Sequence, residues 1–252
     1  MKLAWLADSF ELAGGAELTA AEFRAAAPAG VQIVACAPGE LETLSSCEAV
    51  CLHNTVTYPA ETIEALEGKP VLRYWHDMAW ADGPIVQWSL KHAVSVFTSP
   101  LHRDRFPHEA PAGARCIPPP VRLGEVPRRK RSRGACWLGS GQHAGKGVLQ
   151  ACEWAEANEP VDFWGPVELA ETPRVRVKGV VPHDHVPTIL RLYERFVFLP
   201  THPEPFGRAV VEAWAAGCEL IVNRNVGALH WLERPAAIER AADDFWRAVE
   251  AL

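Results

Sequence analysis

The chain has 252 residues, with 25 Lys and Arg against 31 Asp and Glu, and a formal net charge of −6. Hydrophobic residues make up 48% and charged residues 22%, which excludes disorder as the main state. No apolar run approaches the ~20 residues that a membrane helix needs, and the start lacks a secretory signal, so we expect a cytoplasmic protein. The acidic excess disfavours broad nucleic-acid binding, which depends on phosphate contacts from Lys and Arg.

Short apolar runs alternate with helical patterns along nearly the whole chain. In the first half, strands are predicted at 2–7, 31–37, 49–53, 70–75, 94–98 and 115–117, and helices at 16–27, 60–67 and 84–92. In the second half, strands are predicted at 135–138, 161–164, 175–177, 196–199 and 220–222, and helices at 147–157, 186–194 and 206–216. Most strand runs are unbroken, as expected where helices cover both faces of a parallel sheet. The alternation predicts an α/β fold.

One polar stretch separates the two series of strands. Residues 125–134 combine proline and glycine with five Lys or Arg between positions 128 and 133. We interpret this stretch as a linker between two doubly wound Rossmann-like domains at 1–124 and 135–234, followed by a helix at 235–252. The basic residues form either a solvated face of the linker or a patch for an anionic acceptor, such as a lipid head group or nucleic acid.

The most informative segment is a strand, a loop and a helix in the second half. Glu204 follows the carboxyl end of the strand, where open α/β sheets bind ligands. Glu212 is placed about 9 Å along the helix axis from a start near Phe206. The N–H groups of Phe206, Gly207 and Arg208 are expected to bind an anion at the helix start. Carboxylates accept hydrogen bonds from hydroxyl groups, and the N–H groups between them bind a phosphate. This combination suits a nucleotide-sugar.

The two glutamates are separated by seven residues, with Pro205-Phe206-Gly207 between them and Ala-Trp-Ala-Ala-Gly after them. This segment resembles the donor-site motif of retaining glycosyltransferases with the GT-B fold, glycosyltransferase family four (glycosyl transferases group 1), of which this chain would be an unusually short member. The resemblance covers nearly the whole chain and is specific mainly from 135 to 233. It implies a nucleotide-diphosphate sugar as donor substrate, retention at the sugar carbon and no cofactor. The sequence has no Asp-x-Asp motif, so no metal is expected.

The resemblance also implies roles for single residues. Glu204 would position the sugar hydroxyls and Lys146 would stabilise the leaving phosphate. His76 would contact the sugar or shape the acceptor site, and Glu212 would hold the ribose. The catalytic residues are thus predicted to be Glu204, His76 and Lys146. The predicted donor-binding residues are Gly14, Gly15, Ser140, Lys146, Pro205, Phe206, Gly207, Arg208 and Glu212.

Some positions depart from the family or stay open. Ser140 stands where the family usually has Arg, a cation that Arg208 or Arg73 would have to replace. Asp8 either caps a loop or faces the acceptor. His183 and His185 have a metal-like spacing, but in a polar loop we expect them to be solvated. The seven cysteines include no Cys-x-x-Cys pair and are expected to be reduced.

Several functions remain open beside a retaining, metal-independent glycosyltransferase. One is a nucleotide-sugar epimerase on a related fold, and another is a non-catalytic nucleotide-sugar binding module. The acceptor is expected to be a carbohydrate, a lipid-linked intermediate or a small molecule, with a modified nucleic-acid base as the less favoured choice. Peripheral membrane contact also stays open.

Overall fold

The computed structural model describes residues 1–11, 14–78, 83–123 and 133–252. The chain forms two compact units. Unit 1 comprises Met1–Pro120 and Arg234–Leu252, and unit 2 comprises Val121–Glu233. Of the predicted linker, positions 125–132 lie outside the described residues, while Arg133 and Gly134 already belong to a strand.

Unit 1 contains a parallel sheet of six strands. They are β1 Lys2–Leu6, β2 Gln32–Cys36, β3 Ala49–Leu52, β4 Val71–Trp75, β5 Val94–Phe97 and β6 Arg115–Cys116. Their order is β2-β1-β3-β4-β5-β6. The helices between them are α1 Gly15–Ala25, α2 Leu41–Ser45, α3 Thr62–Leu66, α4 Pro84–His92 and α5 Pro100–Arg105.

Unit 2 contains a parallel sheet of five strands. They are β7 Arg133–Leu138, β8 Val161–Trp164, β9 Val175–Gly179, β10 Tyr193–Phe198 and β11 Glu219–Val222. Their order is β11-β10-β7-β8-β9. The helices are α6 Val148–Ala157, α7 Val186–Leu190, α8 Arg208–Ala215 and α9 Leu229–Leu232, with 3₁₀ turns at Ala144–Lys146 and His183–His185.

The C-terminal segment returns to unit 1. The single helix predicted at 235–252 is two helices, α10 Pro235–Glu239 and α11 Ala241–Glu250, because Arg240 leaves helical geometry at φ −91° and ψ 4°. Phe245 on α11 stacks on Phe23 of α1 with ring centroids 4.1 Å apart. Trp246 donates from Nε1 to the Phe23 carbonyl at 2.9 Å. The last helix therefore completes the apolar core of unit 1.

The predicted strands all have counterparts, most predicted helices are shifted at one or both ends, and two of these shifts have a local cause. The helix predicted at 186–194 ends at Leu190, because Tyr193 already begins β10. The helix predicted at 206–216 begins at Arg208, because Gly207 adopts a left-handed φ of +85°. The short helices α2 and α5 were not predicted. No helix among the described residues is long and apolar enough to cross a membrane.

Each sheet reverses its strand order once, and this point fixes where a ligand site is expected. In unit 1, β2 and β3 lie on opposite sides of β1; in unit 2, β8 and β10 lie on opposite sides of β7. Open α/β sheets bind ligands in the crevice outside the carboxyl ends of the strands that flank such a switch point. The loops that follow β1 and β3 in unit 1, and β7 and β10 in unit 2, are therefore the candidate sites.

Candidate functional site

Two loops meet at the switch point of unit 2. Residues 139–147 follow β7 and residues 199–207 follow β10. The Thr201 N–H donates to the Gly145 carbonyl at 3.1 Å and joins the loops. Gly147 has a φ of +74°, and a Cβ there would lie 2.0 Å from the Leu199 carbonyl oxygen. Glycine is therefore required at this position, because the close approach is what brings the Lys146 loop against the end of β10.

Lys146 and Glu204 form an ion pair across these two loops. The distance from Lys146 Nζ to Glu204 Oε2 is 2.5 Å, and the side chains are 34% and 14% exposed. The Glu204 backbone pairs with the loop after β11, where its N–H donates to the Asn225 carbonyl at 2.7 Å and its carbonyl accepts from Gly227 N–H at 3.0 Å. Two residues predicted separately from the sequence are thus brought together. One N–H of Lys146 is used, and the ammonium group has two more for a ligand.

Glu212 lies in a second cluster on α8. Since the helix begins at Arg208, Glu212 is about 6 Å along its axis, closer to the start than the 9 Å predicted. Its Oε1 accepts from Arg208 Nε at 2.9 Å and from His183 Nε2 at 2.8 Å. The Glu212 and Arg208 side chains are only 9% and 11% exposed. Arg208, a candidate substitute for the missing family cation, therefore also holds a carboxylate. A phosphate contact from its guanidinium stays a prediction.

The segment between Glu204 and α8 is set by packing. Phe206 is buried, and its carbonyl accepts from the Ala228 N–H at 2.7 Å. A Cβ on Gly207 would lie 3.1 Å from Val226 Cγ1 and 3.3 Å from Glu204 Cγ, in a backbone conformation that favours glycine. These contacts fix the direction in which Glu204 leaves the loop and in which α8 begins.

Ser140 and Pro205 complete the predicted donor-binding residues of unit 2. Ser140 lies two residues after the end of β7 in the Lys146 loop, and its carbonyl accepts from the His143 N–H at 3.4 Å. Pro205 follows Glu204 in the loop that leads to α8. The structure thus places both residues in the switch-point loops.

The switch point of unit 1 holds a small cleft. Its empty volume is about 200 Å³, and its lining includes Asp8, Glu17, His53, Asn54 and His76. The predicted donor-loop glycines lie at the start of α1, where Gly14 is the cap and Gly15 the first helical residue. A Cβ on Gly14 would lie 2.9 Å from Glu17 Oε2, while a Cβ on Gly15 would meet open space.

Asp8 caps a loop rather than leaving its carboxylate open for an acceptor. Oδ2 accepts from the Val56 N–H at 2.9 Å. Oδ1 accepts from the Thr57 N–H at 2.8 Å and from the Thr57 hydroxyl at 2.7 Å. Of the two alternatives open from the sequence, the structure favours the cap.

His76 is paired with a second imidazole that sequence reasoning missed. His53 Nδ1 lies 2.7 Å from His76 Nε2, and the His53 ring stacks on Trp5 at 4.5 Å. Burial lowers the pKa of His53 well below its usual value and lowers the pKa of His76 to about 3. Both rings are therefore neutral at pH 7, and in this contact one of the two nitrogens donates an N–H to the other. The signal for His53 was its position directly after a buried strand at the switch point.

His102 supports the backbone next to His76 and was also missed. Its Nε2 is 2.8 Å from the Asp77 carbonyl, which can only accept, so this nitrogen carries the proton. Its Nδ1 then accepts from the Thr98 hydroxyl at 3.0 Å. Burial lowers the pKa of His102 to about 4. The sequence signal was weak, since His102 is marked only by lying three residues after the helix cap Ser99.

Arg73 does not take the place of the missing family cation. It is 4% exposed, its guanidinium donates to the Thr55 hydroxyl at 2.6 Å, and it lies 4.5 Å over the Trp75 ring. Burial lowers its pKa to about 10, which leaves it charged at pH 7. The guanidinium of Arg73 is therefore a charged group buried inside unit 1 and is bound by neighbouring side chains.

His183 and His185 differ in their surroundings. His183 reaches Glu212, whereas His185 is 66% exposed and lies 4.0 Å from Asp184. Among the described residues, no group of three or more His, Cys, Asp or Glu is arranged to hold a metal ion. Both histidines are exposed, as expected, and His183 in addition contacts the Glu212 carboxylate.

Comparisons with known proteins identify the fold. No protein-family model and no curated protein matches the sequence. Anabaena HepE, solved with UDP and glucose, matches with a TM-score of 0.68 and 14% identity over 98% of this chain and 94% of that one. AviGT4, a glycosyltransferase involved in avilamycin A biosynthesis, matches with a TM-score of 0.66 and 16% identity over 96% and 88%. An α-glucosyltransferase solved with UDP-glucose and abasic-site DNA gives 0.62 and 10% over 98% and 94%.

At these identities the likeness concerns the fold. The two parallel α/β sheets and these neighbours confirm the prediction of a GT-B fold with Rossmann-like units.

Proposed function

We propose that this protein is a glycosyltransferase that moves a sugar from a nucleotide-diphosphate sugar to an acceptor hydroxyl group. The observation that carries the proposal is the Lys146–Glu204 ion pair at the switch point of unit 2. A cation beside a carboxylate suits a donor whose negative diphosphate is joined to a polyhydroxylated sugar. The neighbours support the proposal, because HepE was solved with UDP and glucose.

Lys146 is proposed to stabilise the leaving diphosphate. Its two remaining N–H groups would donate to phosphate oxygens, and the start of α8 adds the positive end of a helix dipole. A single preorganised donor of this kind is worth ~2.7–4 kcal/mol in a transition state. Glu204 would accept from the sugar hydroxyls, and Glu212 would accept from the ribose.

The proposed reaction retains the configuration of the sugar. The bond from the sugar carbon to the phosphate oxygen breaks, and a bond from that carbon to the acceptor oxygen forms on the same face. The acceptor proton goes to the leaving phosphate oxygen. Metal independence is part of the proposal, since Lys146 supplies a cation and the sequence has no Asp-x-Asp motif.

His76 is proposed to contact the sugar or to shape the acceptor site. The pKa of His76, lowered to about 3 by burial, keeps it neutral, so it exchanges hydrogen bonds with hydroxyl groups without adding charge.

The acceptor is proposed to be a carbohydrate, lipid-linked or small-molecule hydroxyl. The DNA-bound α-glucosyltransferase neighbour favours a modified nucleic-acid base as the second candidate. The free thiols suit a reducing cytoplasm, which we propose as the location.

A donor screen followed by a transfer assay tests the proposal. The melting temperature should rise with one of UDP-, GDP- or ADP-glucose, because a ligand that binds the native state stabilises it by mass action. That donor, radiolabelled, should then pass its sugar to one member of a mixed acceptor panel that includes hydroxymethylated DNA. Release of a rearranged sugar without an acceptor would identify an epimerase, and binding without turnover or hydrolysis would identify a binding module. Either result would contradict the proposal.

A further inference from the structure

His183 contacts the carboxylate that the donor site requires. It belongs to the 3₁₀ turn His183–His185 after β9, and its Nε2 lies 2.8 Å from Glu212 Oε1 on α8. We infer that His183 is a positioning residue of the donor site, which holds the Glu212 carboxylate so that it receives the ribose hydroxyls of the nucleotide. This inference rests on the proposed function.

The two carboxylate oxygens of Glu212 differ in their hydrogen bonds. Oε1 accepts from both Arg208 Nε and His183 Nε2, which uses its two lone-pair sites. No donor among the described residues reaches Oε2. A carboxylate fixed in this way presents one oxygen to a ligand. Vicinal hydroxyl groups, as on a ribose, donate well to a carboxylate that is held in one rotamer.

His183 is not needed to compensate the negative charge of Glu212. Glu212 is 9% exposed, and a buried carboxylate needs a compensating partner, which Arg208 supplies at 2.9 Å from within the same helix. His183 comes from a different segment and is 40% exposed. It therefore lies on the solvent-exposed side of the buried carboxylate. We assign it to orientation of the carboxylate and not to its neutralisation.

His185 provides a matched control in the same turn. It lies two residues after His183, is 66% exposed and is 4.0 Å from Asp184. A change in the turn itself would affect both histidines. A role in holding Glu212 concerns His183 alone.

Calorimetric titration of the wild type, His183→Ala, His183→Gln and His185→Ala with UDP and 2′-deoxy-UDP tests the inference. GDP or ADP and its deoxy form replaces UDP where the donor screen selects that nucleotide. His183→Ala should weaken UDP binding about tenfold, His183→Gln should restore part of it through its amide N–H, and His185→Ala should match the wild type. The deoxy nucleotide should bind the wild type more weakly and should lose less affinity than UDP on His183→Ala, because it lacks one of the two hydroxyl groups that the carboxylate receives. In turnover, KM for the donor rises and kcat is unchanged.

Two results overturn the inference alone. One is wild-type UDP affinity in His183→Ala, and the other is an equal loss for UDP and its deoxy form, which a general disturbance of the turn would give. A wild type that binds none of the three nucleoside diphosphates would instead refute the proposed function and this inference with it.

Discussion

Acidification should destabilise unit 1 through its buried histidines, and His102 allows the effect to be isolated. Burial lowers the pKa of His102 from 6.5 to about 4, because the charged ring loses its solvation there, and the hydrogen bond to the Asp77 carbonyl only partly opposes this shift. A pKa that is lower in the folded state gives stability that is fully present above 6.5 and is lost as the pH falls towards 4. At pH 5.0 most unfolded chains carry the proton and about a tenth of folded molecules do. At 1.36 kcal/mol per pKa unit the loss is about 2 kcal/mol.

The comparison is between the wild type and His102→Gln at pH 7.5 and pH 5.0. Glutamine keeps an N–H donor for the Asp77 carbonyl but does not titrate. The pH-dependent loss of unfolding free energy should therefore be smaller in the variant by about 2 kcal/mol. Urea unfolding is followed by labelling the buried thiols with a disulfide reagent that reacts at acidic pH. Cys51 reports unit 1 and Cys136 reports unit 2 as the internal reference. Equal losses in the two proteins would refute the assignment of a neutral, buried His102.

Other predictions concern the loops of the proposed donor site. Lys146→Met should lower kcat about 10²–10³-fold in a protein that stays folded, and near-normal initial rates would contradict its proposed role at the diphosphate. Gly147→Ala should destabilise the fold by about 3 kcal/mol, because its Cβ would lie 2.0 Å from the Leu199 carbonyl oxygen, whereas Gly15→Ala has open space and should melt like the wild type. EDTA should leave the transfer rate unchanged, and a strict need for Mg²⁺ or Mn²⁺ would overturn the metal-free mechanism.

The strands were predictable because β1, β3 and β7 are buried apolar runs bounded by turns. The ends of the helices were less predictable. Tertiary pairing of Tyr193 into β10 shortened α7 at Leu190, and the left-handed Gly207 delayed the start of α8. The break at Arg240 has no proline or glycine to mark it, and the continuous apolar face of the segment predicted one helix.

Site residues within one loop were visible from their spacing, and contacts between loops were not. Glu204 and Lys146 were each predicted from local motifs, but their ion pair depends on the close approach of Gly147 to Leu199. His183 contacts Glu212 across 29 residues of sequence, so its polar surroundings suggested only solvent. The hydrogen bond of His53 to His76 joins the ends of neighbouring strands in the same way.

The transfer rate of Glu204→Gln, measured with the donor that raises the melting temperature, tests the central claim most directly. The substitution removes one negative charge at the position proposed for the reacting sugar and keeps the size of the side chain. We predict a fall in turnover of ~10² or more, with the melting temperature and nucleoside diphosphate binding preserved. Turnover within a few-fold of the wild type would contradict the claim that the carboxylate paired with Lys146 acts on the transferred sugar.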